Sequence, residues 1–313
     1  MFSIKPTRPI LLITTTLLIF LFVSFSFAVS TYFSKEKIME YSGLERRYRI
    51  HLPFKYNSSN SYPVLIALHG FGDSPKKMEL YTGLNQSANK NGFIVVYPYG
   101  TTNRRFGPLS WNGGICCNYA YETGVDDVGF INALIDELVA NYNVNSEKVY
   151  VTGFSNGGIL ANLVATKLPD KVSGAAIVSG AIASKQTEEE EYTYIQKSET
   201  PVPVVIFHGK NDGSISFNGG ESSDPVVEFA SAYDMVNFWL ENNKCEKHPT
   251  EISRGANYTK EVYSSCEGGS NVVFYAINDG KHEWPGWRLN PIKNIMGKGL
   301  KANDLIWDFF SSI

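Results

Sequence analysis

Two kinds of segment alternate along most of the chain. Short continuous apolar runs, rich in Val, Ile and Ala, are typical of strands buried on both faces of a sheet. They predict strands at Pro63–Leu68, Phe93–Tyr97, Val149–Gly153, Val172–Val178, Val202–Phe207 and Val272–Ile277. Stretches with apolar residues every three to four positions, or with capping residues at their start, predict helices between them. These begin at Ser74-Pro75 or cover Asp126–Tyr142, Gly157–Leu168, Val226–Glu241 and Asp304–Phe310.

This alternation predicts the fold class, a doubly wound α/β protein whose mostly parallel sheet has helices on both faces. A hairpin predicted at Ile38–Tyr41 and Tyr48–Leu52, around Ser42-Gly43, adds an antiparallel edge at the N-terminal side. From Lys35 onward the sequence contains no linker and no repeat. Residues 35–313 are therefore predicted to form a single domain.

Residues 1–34 have a different character. Lys5 and Arg8 precede an apolar run from Pro9 to about Ala28, and no acidic residue occurs before residue 35. This layout is typical of a secretory signal peptide, with cleavage after Ala28. The run of about 20 residues is also long enough to span a bilayer, so an uncleaved membrane anchor is the alternative. Either interpretation predicts a domain outside the cytoplasm, secreted or anchored, with membrane contact only in the anchored case.

Charge and cysteine content narrow the function classes. Lys and Arg number 28 against 31 Asp and Glu, giving a net charge of −3, so nucleic acid is not an expected partner. Cys245 and Cys266 flank a stretch that predicts a hairpin, and we expect them to form a disulfide. Cys116 and Cys117 are adjacent and can pair with each other only in a vicinal ring, and the sequence leaves the three possible connectivities open. The spacings match no zinc pattern, so no metal site is expected.

A candidate nucleophile follows one predicted strand. Ligand sites in such sheets lie beyond the carboxyl ends of the strands. There the motif Gly153-Phe-Ser155-Asn-Gly157 joins a strand to a helix, which is the context that G-x-S-x-G requires. The glycines leave room for a sharp turn on which the Ser155 hydroxyl points out of the sheet. The alternative is a glycine-rich turn that only lets the helix pack closely.

A serine hydroxyl needs a general base that is oriented by a third group. In this kind of fold the order along the chain is Ser, acid, His. His282 follows the last predicted strand and is the candidate base, while Asp212 follows Val202–Phe207 and is the candidate acid. The alternatives are a loop histidine and an Asx turn. His208 precedes Asp212, so we expect a structural role for it.

Two further features would complete such a site. The expected oxyanion donors are the backbone N–H groups of Asn156 and of Phe71, which lies in the His69-Gly-Phe-Gly loop after the first buried strand. Trp284 and Trp111 are expected to bind substrate as the walls of an acyl or aromatic pocket. The alternative for both tryptophans is ordinary packing.

Taken together, these motifs resemble the polyhydroxybutyrate depolymerase and feruloyl esterase group of α/β hydrolases, in and around carbohydrate esterase family 1. The resemblance covers about residue 36 to the C-terminus. It is carried by His69-Gly-Phe-Gly-Asp73, Trp111-Asn112, Cys116-Cys117, Asp126-Asp-Val-Gly-Phe130, Gly153-Phe-Ser-Asn-Gly-Gly158, His208-Gly209 with Asp212, and His282-Glu-Trp-Pro-Gly286. It implies an α/β-hydrolase fold, a triad of Ser155, Asp212 and His282, and no cofactor or metal. Gly213–Ser216 lacks the proline that commonly follows the acid in relatives.

The predicted function is a serine esterase outside the cytoplasm. The resemblance suggests feruloyl or acetyl esters of plant polysaccharide as substrates, with short-chain polyester as the alternative. Two competing hypotheses are a peptidase on the same fold and a binding module without catalytic activity. Amide substrates would distinguish the first, and covalent labelling by a fluorophosphonate would distinguish the second.

Overall fold

The computed structural model describes residues 34–103, 107–187, 189–222, 227–286 and 300–313. Apart from Ser34, the predicted leader or anchor over residues 1–34 lies outside the described residues. Within the described ranges, no helix has both the length and the apolar character needed to cross a bilayer.

Strands and helices alternate along the described chain. The strands, β1 to β14 in chain order, are Lys35–Tyr41, Leu44–His51, Tyr62–Leu68, Ile94–Pro98, Val144–Phe154, Gly174–Val178, Ala183–Lys185, Thr193–Tyr194, Val204–Gly209, Gly220–Glu221, Glu228–Phe229, Glu251–Arg254, Tyr258–Tyr263 and Val272–Ile277. The α-helices, α1 to α7, are Pro75–Thr82, Leu84–Asn91, Asn118–Glu122, Asp127–Tyr142, Asn156–Lys167, Ala232–Asn242 and Ala302–Ser311. A 3₁₀ turn is formed by Glu267–Gly269.

The main sheet has the strand order β1-β2-β4-β3-β5-β6-β9-β14-β13-β12. Its centre, from β4 to β14, is parallel throughout. The β1–β2 hairpin joins β4 in antiparallel pairing, which confirms the predicted antiparallel N-terminal edge. The opposite edge is also antiparallel, because β12 and β13 form the hairpin predicted between Cys245 and Cys266.

Both faces of this sheet are covered, which explains the continuous apolar runs. In β3, Val64 and Ile66 face a core that is completed by α4, α5 and α6. Leu65 and Ala67 face the opposite core, which is completed by α1, α2 and α7. Since successive side chains of a strand point to opposite faces, a strand covered on both sides carries apolar residues at every position. The doubly wound α/β prediction is thereby confirmed.

The helix predicted at Val226–Glu241 begins later than the sequence pattern suggested. The backbone becomes helical only at Ala232, and Glu228–Phe229 is extended as β11. The Ser231 side chain accepts a hydrogen bond from Asp234 N, and the Asp234 carboxylate accepts one from Ser231 N. This capping box fixes the helix start and leaves the preceding residues to pair with β7.

A second, small sheet was not predicted. It has the order β10-β11-β7-β8 and is built from strands of two or three residues. The Ser184 hydroxyl in β7 donates to the carbonyl of Ile115 at 2.7 Å. An isolated antiparallel bridge joins Ser222 to Ile215. The small sheet is thus attached to the loops that follow two central strands, β4 and β9.

Candidate active site

Ser155 lies on a sharp turn between β5 and α5, with φ 55° and ψ −123°. A positive φ is strained for a residue with a side chain, and such strain is common at functional sites. A Cβ at Gly153 would collide with the backbone of Gly157, and a Cβ at Gly157 would collide with the backbone of Leu68. The turn therefore requires both glycines of the motif, as the sequence predicted.

This turn opens into a cleft of about 560 Å³. Ser155 and His282 both line the cleft, together with Phe71, Asn156 and the adjacent pair Cys116 and Cys117. Phe229 in β11 of the small sheet and Val227 just before that strand also line the cleft. The cleft lies at the carboxyl ends of the parallel strands, the edge at which a site was expected.

Asp212 and His282 form a direct hydrogen bond. His282 Nδ1 donates to Asp212 Oδ2 at 2.8 Å, and Asp212 Oδ1 accepts from the backbone N–H groups of Ser214 and Ile215, each at 2.9 Å. Burial by itself raises the pKa of Asp212, but the bond to His282, nearby imidazole charge and the Ile215 N–H together lower it. The carboxylate is thus held ionised and oriented toward the imidazole.

Ser155 and His282 line the same cleft without a direct hydrogen bond between them. The ring of Phe154, adjacent to Ser155, lies 4.8 Å from the His282 ring between centroids. No hydrogen bond between Ser155 and His282 is formed in the described structure. Such catalytic bonds are often long without substrate and tighten when it binds. The structure therefore places Ser155 and His282 in one cleft, with Asp212 buried behind His282, and forms one of the two hydrogen bonds of the predicted triad.

Phe71 and Asn156, whose backbone N–H groups are the predicted oxyanion donors, both line this cleft. Phe71 follows Gly70, where an added Cβ would lie only 3.5 Å from Ser155 Cβ, so this loop passes directly beside the serine. Asn156 is the first residue of α5, and its N–H has no acceptor within the helix. Among the described residues, neither the Phe71 nor the Asn156 backbone N–H donates a hydrogen bond. Both N–H groups are thus unoccupied, as the predicted role of oxyanion donor requires.

The expected substrate-binding role of Trp111 is wrong. Its side chain is fully buried and does not line the cleft. The indole N–H donates to the carbonyl of His69 at 2.9 Å, while the Trp111 backbone exchanges two hydrogen bonds with the side-chain amide of Asn156. Trp111 therefore ties the His69 loop to Asn156, the residue after Ser155. These two segments carry the predicted oxyanion donors.

Trp284 also differs from its predicted role. It is 2% exposed, packs in the core under α7, and donates through its indole N–H to Asn303 Oδ1 at 2.9 Å. It does not line the cleft beside Ser155, so it does not occupy the position that was expected for it. Because Trp284 is buried two residues after His282, it anchors the loop that carries the imidazole.

Two further histidines next to the site are buried. His69 donates through Nδ1 to the carbonyl of Gly70 and accepts at Nε2 from Gly100 N. Its burial lowers its pKa to about 4. His208 donates through Nε2 to the carbonyl of Ile215 at 2.9 Å, and burial lowers its pKa as well. These bonds shape the loops around the site, which agrees with the structural role expected for His208.

The cysteine pairing left open by the sequence is resolved as two disulfides, Cys116–Cys117 and Cys245–Cys266. The second is the expected one and ties the end of α6 to the β13 side of the far hairpin. The first is a vicinal disulfide in the cleft wall, a position that sequence reasoning missed. In the described ranges, no group of three or more His, Cys, Asp or Glu side chains is arranged to hold a metal ion.

Asp126 directly precedes α4, and Asp127 is the first residue of that helix. Asp126 accepts a hydrogen bond from Gly129 N and caps the helix. Asp127 is instead buried, forms a 2.7 Å ion pair with Arg46, and accepts from the backbone N–H of Asn112. This carboxylate therefore anchors the loop that carries Trp111 and the vicinal disulfide.

The fold and this cleft define the class of protein, an α/β hydrolase with a serine on a strand–helix elbow and an Asp–His pair beside it. Residues 40–294 match the model of the Esterase family. Because the match covers most of the chain, the chain belongs to this family.

Two curated relatives and one solved structure are similar to this chain. Feruloyl esterase B of Piromyces equi is 28% identical over 76% of this chain, and the match covers 42% of that protein. Poly(3-hydroxyalkanoate) depolymerase C of Paucimonas lemoignei is 25% identical over 71% of this chain and 55% of that protein. The acetyl xylan esterase structure from Aspergillus awamori shares the fold, with a TM-score of 0.56, 15% identity, and coverage of 84% of this chain and 98% of that one. The chain thus spans about half the length, or less, of the first two proteins.

Proposed function

We propose that the protein is a serine esterase that acts outside the cytoplasm on feruloyl or acetyl esters of plant polysaccharide. The observation that carries the proposal is the 2.8 Å hydrogen bond from His282 to the buried Asp212, beside a serine on a strained turn in the same cleft. A carboxylate that holds one imidazole nitrogen leaves the other nitrogen free to accept a proton from a hydroxyl.

The first half of the reaction acylates Ser155. The Ser155 hydroxyl attacks the ester carbonyl carbon while His282 Nε2 accepts its proton, and the developing oxyanion binds the backbone N–H groups of Phe71 and Asn156. Asp212 stabilises the imidazolium. The C–O bond to the alcohol then breaks, the alcohol takes the proton from His282, and the acyl group remains on Ser155.

The second half hydrolyses the acyl-enzyme. A water molecule gives a proton to His282 and attacks the acyl carbonyl, with the same two N–H groups binding the oxyanion. Collapse of this intermediate releases the carboxylic acid and returns the proton to Ser155. Two buried hydrogen bonds between Asn156 and Trp111 support this chemistry, because they keep an oxyanion donor in place before substrate binds.

Location outside the cytoplasm is supported by two observations. The described residues contain two disulfides, which persist in oxidising compartments. The leader pattern over residues 1–34 directs the following domain to such a compartment, by cleavage or as an anchor. Cell fractionation with an antibody to the domain tests this, and a cytoplasmic pool with reduced cysteines would contradict it.

The central test is replacement of the serine. Ser155→Ala should abolish turnover of p-nitrophenyl acetate and labelling by a fluorophosphonate, with an unchanged thermal unfolding midpoint. Ser173→Ala is a matched control, because Ser173 precedes β6 at the opposite edge of the sheet and binds only the carbonyl of Glu147 through its hydroxyl. Turnover retained in Ser155→Ala would move the active site elsewhere.

A second candidate substrate is a short-chain polyester of the hydroxybutyrate type. The similarity to the Paucimonas lemoignei depolymerase favours it, since that match covers 71% of this chain. Methyl ferulate, an acetylated xylooligosaccharide and a hydroxybutyrate oligomer, compared by kcat/KM on the purified protein, discriminate between the candidates. A preference for the oligomer would replace the plant-polysaccharide assignment and leave the serine mechanism intact.

A further inference from the structure

One wall of the cleft is a disulfide. Cys116 and Cys117 both line the cavity that contains Ser155 and His282, and Cys116 is buried while Cys117 is half-buried. Disulfide sulfur atoms carry no N–H or O–H donor, and they are polarisable. Sulfur makes favourable contacts with aromatic rings. This part of the wall therefore offers a small apolar surface suited to a flat ring.

The disulfide is held at a fixed position relative to the nucleophile. Cys116 accepts a hydrogen bond through its carbonyl from Gly113 N at 2.7 Å, and Cys117 N donates to the Trp111 carbonyl at 3.3 Å. The same Trp111 carbonyl accepts from the side chain of Asn156, the residue after Ser155. Only two hydrogen bonds thus separate the disulfide loop from the oxyanion hole.

The disulfide loop packs along α5, the helix that follows Ser155. In the proposed reaction His282 protonates the leaving alcohol, so we place the alcohol toward His282 and the acyl group on the side of α5. Ile159 lies one turn beyond Ser155 on that helix and donates its N–H to the Ser155 carbonyl. A Cβ at Gly113 would collide with Ile159, so the disulfide loop packs directly against this part of the helix.

The small sheet supplies another part of the cleft wall. Phe229 in β11 lines the cleft, and its neighbour across the strands, Ser184, is bonded to the carbonyl of Ile115 beside the disulfide. The two walls are therefore linked through one hydrogen bond of 2.7 Å. A phenyl ring and a disulfide that line the same cleft suit a planar aromatic group bound between them.

We propose that the Cys116–Cys117 disulfide, with Ile159 and Phe229, forms an acyl subsite that selects esters of planar aromatic acids over acetyl esters. The inference rests on the proposed serine esterase function and adds a specificity-determining element to it. The substrate class is a hydroxycinnamic ester, whose ring contacts the sulfur atoms while its carbonyl binds at Phe71 and Asn156.

The test compares two methyl esters, so that the alcohol stays constant. In Cys116→Ala/Cys117→Ala, kcat/KM for methyl ferulate should fall roughly tenfold, because the favourable contact between the sulfur atoms and the aromatic ring is lost. For methyl acetate, kcat/KM should change less than about twofold, since an acetyl group does not reach the disulfide. Phe229→Leu is a second variant that should lower the same ratio while keeping both disulfides.

A matched control removes the other disulfide. Cys245→Ala/Cys266→Ala lowers thermal stability but should leave the ferulate-to-acetate ratio at the wild-type value, since this disulfide lies at the far edge of the sheet. Equal losses on both esters in the Cys116→Ala/Cys117→Ala variant would assign the disulfide a purely structural role and overturn the proposal. An unchanged ratio in both it and Phe229→Leu would also overturn it.

Failure of the proposed function gives a different result. If Ser155→Ala keeps full turnover on methyl acetate, both the serine mechanism and the aromatic subsite are refuted. If wild type hydrolyses methyl acetate through Ser155 but does not accept methyl ferulate, the mechanism stands and only the aromatic subsite is refuted.

Discussion

Replacing Asp212 with Asn changes one atom at the centre of the candidate site. Asp212 Oδ1 accepts two backbone hydrogen bonds, from Ser214 and Ile215, and Oδ2 accepts from His282 Nδ1. In Asp212→Asn the amide oxygen keeps the two backbone bonds, so its NH₂ group faces Nδ1. Nδ1 must then accept, the imidazole proton moves to Nε2, and Nε2 can no longer take a proton from Ser155.

The hydrogen bonds of Asp212 set limits on how far kcat should fall in Asp212→Asn. Flipping the amide restores the correct tautomer but breaks two backbone hydrogen bonds, at a cost of about 2 kcal/mol or more. The productive orientation is then populated at a few per cent at most. The expected fall in kcat lies between about 30-fold and the roughly 10⁴-fold that a wrong histidine tautomer costs in a serine protease.

The assay is turnover of p-nitrophenyl acetate at pH 7 by Asp212→Asn, with circular dichroism to verify folding. Asp136→Asn is the control, because Asp136 is exposed and pairs only with Lys171 on the surface. The kcat of Asp136→Asn should stay within about twofold of the wild-type value, because an exposed ion pair that does not contact the site has little effect on it. A loss of less than about threefold in Asp212→Asn would refute the tautomer argument.

Two further predictions follow from buried groups. The lowered pKa of folded Asp212 adds stability above its unfolded value near 3.8, and this stability is lost as pH falls through the folded pKa. Urea unfolding should therefore show a larger difference in stability between wild type and Asp212→Asn at pH 7 than at pH 3; a constant difference contradicts this. Trp111→Phe leaves the His69 carbonyl unpaired at a cost of about 1–3 kcal/mol. It should lower the unfolding midpoint and reduce kcat more than it changes KM. Trp307→Phe, which can keep its stacking on Phe93, should leave kcat unchanged.

The central strands could be predicted from the sequence because both faces of the sheet are buried. Every residue of Val64–Leu68 is apolar and contacts one of the two cores, so the run itself marks the strand. Boundaries were less predictable where a strand extends beyond its covered part. β5 begins at Val144 rather than Val149, because Val144 pairs with Tyr62 while the intervening residues are mostly exposed and polar. Strands of two or three residues, as in the small sheet, are too short to show the alternation of apolar and polar residues that marks a strand.

In the candidate site, too, some features could be predicted from the sequence and others could not. The order of Ser155, Asp212 and His282 after three different strands predicted the cleft, since strand ends meet at one edge of a parallel sheet. Sequence position could not tell which way a loop side chain turns. Trp111 lies on a loop that borders the cleft, yet its indole finds the His69 carbonyl in the core, and the neighbouring disulfide lines the cleft instead.

The three histidines near the cleft divide their roles by burial. His69 is fully buried, its pKa is lowered to about 4, and both of its nitrogens are occupied by backbone partners. His208 has a lowered pKa for the same reason and holds the Ile215 carbonyl, which fixes the turn containing Asp212. Both therefore stay neutral at neutral pH and act as fixed hydrogen-bonding groups. His282 alone among the three is partly exposed, lines the cleft and bonds a carboxylate, so the proton that Ser155 must lose has one acceptor suited to it.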